Sequence, residues 1–148
     1  MAIEKEKLQK KYKKAADSLA TLKEALTDIQ DIKVIAQCAQ KDTTKIYKTY
    51  RDSLIQRFEY TFDTTWKYLS EYLQAQGHVL ALKSPKDIFR ESLKAKILSA
   101  DEVRLAIAMV DDRNLTTHGY DEELIEEINK KIPAYATLLD TILQCTKI

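Results

Sequence analysis

The chain has 148 residues with 2 Gly, 2 Pro and a formal net charge of +1. That length suits one domain, residues 1–148, with a core that needs no covalent staples. Glycine and proline fall far below their usual combined share of roughly 12%, so long helices with few turns are expected, and the near-neutral charge excludes a global basic field for gathering nucleic acid.

The first helix is predicted from about Ile3 to Cys38. Leu8, Tyr12, Ala15, Leu19, Leu22, Leu26 and Ile29 recur at alternating steps of four and three, which is the seam of a helical bundle. Between Glu4 and Lys14 six lysines (Lys5, Lys7, Lys10, Lys11, Lys13, Lys14) stand against two glutamates. They lie largely off the seam and read as a solvated helix end. This start is too charged for a signal peptide, and no stretch approaches the ~20 apolar residues of a membrane span. Cys38 and Cys145 have no metal-ligand spacing and read as free thiols of a cytoplasmic protein.

Asp42, Thr43 and Thr44 are cap candidates for a second helix over about Thr44–Gln76. Its stripe is Tyr47, Tyr50, Leu54, Phe58, Phe62, Trp66, Leu69 and Leu73, and aromatic residues at helical spacing read first as core. Arg51 and Arg57 flank the stripe and could reach a partner or a phosphate. Gly77 suits the residue after the helix end.

Ser84-Pro85-Lys86-Asp87 combines an N-cap serine, a proline at the first helical position and an acid in the first turn. It opens a third helix expected to reach Leu98, with Ile88, Phe89, Leu93 and Ile97 inward. Ser99 and Glu102 form a capping box for a fourth helix carrying Val103, Leu105, Ala106, Ile107, Met109 and Val110. That helix should fray between Leu115 and Thr117, before Gly119. Asp121 caps a fifth helix with Leu124, Ile125, Ile128, Ile132, Tyr135, Leu138, Leu139, Ile142 and Leu143 inward. Pro133 lies within it and should kink or break it.

The residues equipped for chemistry are Arg113-Asn114-Leu115-Thr116-Thr117-His118-Gly119-Tyr120. On a continuous helix Arg113 and His118 would point about 140° apart, so they converge only if the helix ends between them. A guanidinium can hold a phosphate through two parallel hydrogen bonds, and an imidazole can exchange a proton near neutral pH. One histidine is half of an acid–base pair, and a homodimer with the motif on its two-fold axis would supply the second. The chemistry needs no metal and no cofactor.

This Arg-x4-His-x-Tyr pattern resembles the signature of the HEPN superfamily, with Asn114 as the polar residue after the arginine. With the segment Tyr50 to Phe62, followed by Trp66 and Lys67, and with Ser84-Pro85-Lys86-Asp87, the chain is similar over nearly its whole length to the nucleotidyltransferase substrate-binding protein family within it. The resemblance implies an all-α, up-and-down four-helix bundle with an additional short helix, forming a homodimer. It implies a separate minimal nucleotidyltransferase as partner, in a two-component module that can act as toxin and antitoxin. It implies a nucleotide- or phosphate-binding cleft lined by Arg113, Asn114 and His118. The alternative it implies is a metal-independent ribonuclease with Arg113 and His118 of both subunits catalytic. In HepT-type relatives the motif tyrosine receives AMP, and Tyr120 is the matching position.

The surroundings of the motif bear on this choice. Asp101 to Lys131 holds nine acids against four bases. Asp111 and Asp112 precede Arg113, and Asp121, Glu122 and Glu123 follow Tyr120. Such carboxylates repel an RNA backbone and could hold Arg113 in an ion pair. They favour a binding and regulatory subunit over a nuclease.

Overall fold

The computed structural model describes residues 2–39, 44–118 and 120–148. Asp42, Thr43 and Gly119 lie outside the described residues, as does the side chain of Cys38. Five helices are present among the described residues: α1 (Ala2–Ala39), α2 (Thr44–Ala75), α3 (Pro85–Lys94), α4 (Ala100–Leu115) and α5 (Glu122–Cys145).

Cross-helix contacts fix the directions. Lys11 meets Glu71 and Arg57 meets Thr21, so α1 and α2 are antiparallel. Phe58 stacks on Tyr135 and Tyr68 bonds the Thr146 carbonyl, so α5 runs parallel to α2. Asp112 meets Tyr135, which turns α4 back against α5. The long helices therefore run up, down, up, down in the order α1, α2, α4, α5. The short α3 packs on α2 and α4.

The seam read from α1 is inward throughout: Ala15, Leu19, Leu22 and Ile29 are buried, and Leu8, Tyr12 and Leu26 pack against them. The aromatic stripe of α2 is core at Leu54, Phe58, Phe62, Leu69 and Leu73, with Trp66 and Tyr47 half-buried and Tyr50 exposed at the helix start. Phe58 and Tyr135 stack with ring centroids 5.6 Å apart, and Phe62 meets Phe89 of α3 at 6.3 Å. Burying each such ring stabilises the fold by roughly 1.5–3 kcal/mol. All the apolar positions expected inward on α5 are buried or packed against the core.

The ends follow local chemistry. Gly77 has φ +91°, and the His78 amide returns to the Leu73 carbonyl at 3.0 Å, closing α2 as a glycine-terminated helix does. Ser84 accepts from the Asp87 amide with Pro85 at the first position of α3. Ser99 and Glu102 form the reciprocal capping box of α4. Asp121 accepts from the Leu124 amide at 3.1 Å and opens α5.

Two expectations are corrected. α3 stops at Lys94, short of Leu98, because Lys96 turns left-handed (φ 61°) and the Ile97 amide returns to the Ser92 carbonyl. Its buried face is Ile88, Phe89 and Ser92, and Leu93 is exposed. α5 continues through Pro133 without a break. Among the described residues no helix is long and apolar enough to cross a membrane.

Candidate functional site at the end of the fourth helix

α4 ends where expected. The Thr116 amide closes on the Asp112 and Arg113 carbonyls, and the His118 amide on that of Leu115. Arg113 therefore projects from the last turn, and His118 from the short connection to α5.

Arg113 turns back toward α2. Its Nη1 donates to Glu59 Oε2 at 2.9 Å and its Nη2 to Asp63 Oδ2 at 3.2 Å. Glu59 and Asp63 are one helical turn apart on α2 and present two carboxylates to one guanidinium. Thr116 Oγ1 joins them, donating to Glu59 Oε2 at 2.8 Å and lying 3.3 Å from Arg113 Nη1. The Arg113 side chain keeps 21% exposure, and its Nε is buried with no hydrogen-bond partner among the described residues. Both terminal nitrogens face carboxylates, so a phosphate reaching them has to compete with Glu59 and Asp63.

The ion pair anticipated for Arg113 is therefore present, with different partners. Asp111 pairs with Lys86 at 2.7 Å. Asp112 is buried, accepts a hydrogen bond from Tyr135 and lies 3.5 Å from Lys131. Neither acid beside Arg113 in the chain is the one that holds it. Glu59 and Asp63 were legible only as an i, i+4 acidic pair within the aromatic helix, and nothing in the order of residues assigns that pair to Arg113.

His118 and Tyr120 form a second unit. His118 Nδ1 and Tyr120 Oη are 3.0 Å apart, and the rings meet edge to face at 5.8 Å. Both are exposed, Tyr120 to 83%. With Nδ1 unprotonated the phenol donates to the ring, which places a base beside an accessible nucleophile. Asn114 is exposed on the last turn, and Thr117 Oγ1 bonds its carbonyl.

The flanking arginines both make contacts within this chain. Arg51 is 3% exposed and meets Glu122 at 2.7 Å, Glu126 at 2.9 Å and Asp52 at 3.0 Å. Tyr47 donates to Glu126 in the same cluster. Arg51 thus pins α2 to the first turns of α5, just beyond the His118–Tyr120 connection, and is too enclosed to reach a partner or a phosphate in this arrangement. Arg57 donates to the Thr21 carbonyl of α1 at 2.9 Å. Among the described residues no group of His, Cys, Asp and Glu is arranged to hold a metal ion.

A helical bundle that gathers an arginine, a histidine and a tyrosine at one helix end defines a small all-α domain built to present polar groups on a fixed scaffold. Residues 9–147 match the model of the family described as nucleotidyltransferase substrate binding protein like. The chain belongs to that family. It is similar to a solved protein of Thermus thermophilus, ttk003001694, at 38% identity and a TM-score of 0.71, over 90% of this chain and 99% of that one. It is also similar in fold to HI0074 of Haemophilus influenzae, at 20% identity and a TM-score of 0.75, over 93% of this chain and 99% of that one. The structure of HI0074 is described as revealing the fold of a substrate binding domain of a nucleotidyltransferase. No curated protein matches the chain.

Proposed function

We propose that this chain is the substrate-binding partner of a separate, minimal nucleotidyltransferase, acting as a homodimer in a two-component module of toxin–antitoxin type. In this reading the Arg113–Tyr120 end of each subunit lines a cleft for a nucleotide or another phosphate-bearing substrate. The observation that carries it is the pairing of Arg113 with Glu59 and Asp63 on a chain of this family. A guanidinium already neutralised by two carboxylates is suited to exchange partners when a phosphate arrives. It is a poor standing stabiliser of a phosphorane, which needs an uncompensated cation aimed at the developing charge.

The exposed His118–Tyr120 pair adds a role for the partner enzyme. Tyr120 Oη attacks the α-phosphorus of ATP held by the nucleotidyltransferase. An O–P bond forms, the α–β anhydride bond breaks, pyrophosphate leaves, and the phenolic proton passes to His118 Nδ1. AMP on Tyr120 would then alter the cleft's charge and access.

The test uses the purified chain with total RNA in EDTA, beside Arg113→Ala and His118→Ala. The expected result is no cleavage, with retained binding to a minimal nucleotidyltransferase. Metal-independent cleavage that both substitutions abolish would assign the site to ribonuclease catalysis instead. With the nucleotidyltransferase and ATP present, the chain should gain the mass of one AMP. Persistence of the adduct in Tyr120→Phe would exclude Tyr120 as acceptor.

A further inference from the structure

A cavity of about 560 Å³ opens between the second half of α1 and α5, with α2 beneath it. That size falls within the about 300–1,000 Å³ of small-molecule sites. Its floor is aliphatic, formed by Leu26 and Ile29 of α1 and Leu54 of α2. Asn129 and Pro133, one turn apart on α5, form a wall. Lys33 of α1 also borders it, with its Nζ over the Tyr47 ring, 5.6 Å from the centroid.

Asn129 is 6% exposed, and Tyr47 fixes its carboxamide. The phenol gives its one proton to Glu126 at 3.0 Å and accepts from Asn129 Nδ2 at 3.3 Å. The amide nitrogen therefore faces Tyr47, and Oδ1 is left over. Oδ1 is buried with no hydrogen-bond partner among the described residues. Pro133 has no N–H, so the Asn129 main-chain carbonyl also lacks the helical donor four residues on. One buried residue thus brings two acceptors in need of donors to the wall of the cavity, where buried polar groups are as a rule paired. The charges around the opening are mixed. Asp31, Lys33 and Lys130 border it, and Lys130 meets Glu127 at 3.3 Å. Asp31 and Lys33 form no ion pair among the described residues. Glu126, behind Tyr47, is matched by Arg51 at 2.9 Å. Such a lining suits a molecule without net charge.

We propose that this cavity binds a free aliphatic α-amino acid as its zwitterion. The ammonium donates to Asn129 Oδ1 and to the Asn129 carbonyl, the carboxylate meets Lys33, and the side chain lies on Leu26, Ile29 and Leu54. An ammonium carries three donors, which answers two acceptors on one residue. A phosphate-bearing ligand would bring excess negative charge to a lining whose lysines are offset by Asp31 and Glu127, and its oxygens would leave both acceptors unpaired. The site shares no residue with the Arg113–Tyr120 end and does not rest on the proposed function.

The test is a titration of the full chain with L-leucine, followed by calorimetry and by the amide resonances of the labelled protein. Saturable binding is expected with a dissociation constant of about 1 mM or below, with resonance shifts centred on Ile29, Asn129 and Lys130. Isocaproate, which lacks the ammonium, should bind at least about tenfold more weakly. Leucinamide, which lacks the carboxylate, should bind about threefold to fivefold more weakly. Lys33 is exposed, and Lys33→Gln should weaken leucine by the same factor while leaving leucinamide unchanged. Asn129→Leu should abolish leucine binding, with a thermal melt to verify that it folds. If that variant does not fold, the Lys33→Gln comparison decides. No saturable binding up to about 10 mM leucine would overturn the proposal. So would equal affinities for leucine and isocaproate, equal weakening of leucine and leucinamide by Lys33→Gln, or resonance shifts confined to other residues. Displacement of leucine by ATP at equal concentration would reassign the cavity to nucleotides.

Discussion

Glu59 of α2 accepts from Arg113 at 2.9 Å, and the same oxygen accepts from Thr116 at 2.8 Å. One carboxylate thus fixes the last turn of α4 and occupies the cation of the candidate site. Glu59→Gln separates these roles, because the amide still meets Thr116 while the negative charge is gone. The pair is partly exposed, so its loss should cost under ~1 kcal/mol, a fall in melting temperature of at most about 4 °C for a domain of this size. Phosphate or nucleotide affinity should rise about fivefold, the equivalent of ~1 kcal/mol of relieved competition. Calorimetric titration beside a thermal melt checks both. Unchanged affinity would mean that Arg113 is not a phosphate ligand.

How far these relations were legible in the sequence depends on their range. The stripes of α1, α2 and α5 report burial directly, since each apolar residue carries its helical phase. Ser84, Ser99 and Asp121 are equally legible because a cap acts three residues away. The end of α3 was missed because Lys96 takes a left-handed conformation with no glycine to announce it. The partners of Arg113 were missed because Glu59 and Asp63 lie some fifty positions away, and Asp111 and Asp112 were nearer decoys. In sequence Arg51 is a cation flanking the aromatic stripe that could reach a partner or a phosphate, and only the approach of α5 turns it into a buried clamp.

That clamp gives a prediction of its own. Arg51 is enclosed, while Glu122 and Glu126 keep part of their solvation. Removing the cation leaves carboxylates that water can partly reach, so the cost falls below that of a fully buried pair. Arg51→Met should destabilise the fold by about 2–3 kcal/mol, read as a lower urea midpoint with an unchanged slope. The first turn of α5 should then exchange its amide hydrogens faster than the core of α2. A variant as stable as the native chain would show that the clamp contributes nothing net.

Two carboxylates make the fold sensitive to acid. Hydrogen bonding from Lys11 holds the Glu71 carboxyl below the usual range, and Arg51 does the same for Glu122. A depressed folded-state value means that the stabilisation is fully present above the unfolded value of about 4.3. It is lost as the pH falls through the folded value. Stability measured by urea melts should therefore decline below about pH 4.3, and Glu71→Gln should flatten part of that decline. An unchanged profile in that variant would exclude the Lys11–Glu71 pair as a source.

At high pH the tyrosines act in the opposite sense. Burial pushes the phenols of Tyr47 and Tyr68 up to about 12. Burial also raises Tyr135, reinforced by its hydrogen bond to Asp112. A raised folded value means that these groups contribute stability that is complete below the unfolded value of about 10. That contribution is lost as the pH climbs through the folded values. Tyr47, Tyr68 and Tyr135 are three of the 8 tyrosines in the chain. These three should ionise late and together with unfolding, seen as a second rise in phenolate absorbance coincident with loss of helical ellipticity. Tyr135→Phe removes one of the three and leaves the buried Asp112 with Lys131 at 3.5 Å as its remaining ion-pair partner. It should cost about 1–2 kcal/mol at neutral pH, while shrinking the late absorbance step. A late step of unchanged size in that variant would show that Tyr135 does not titrate with unfolding.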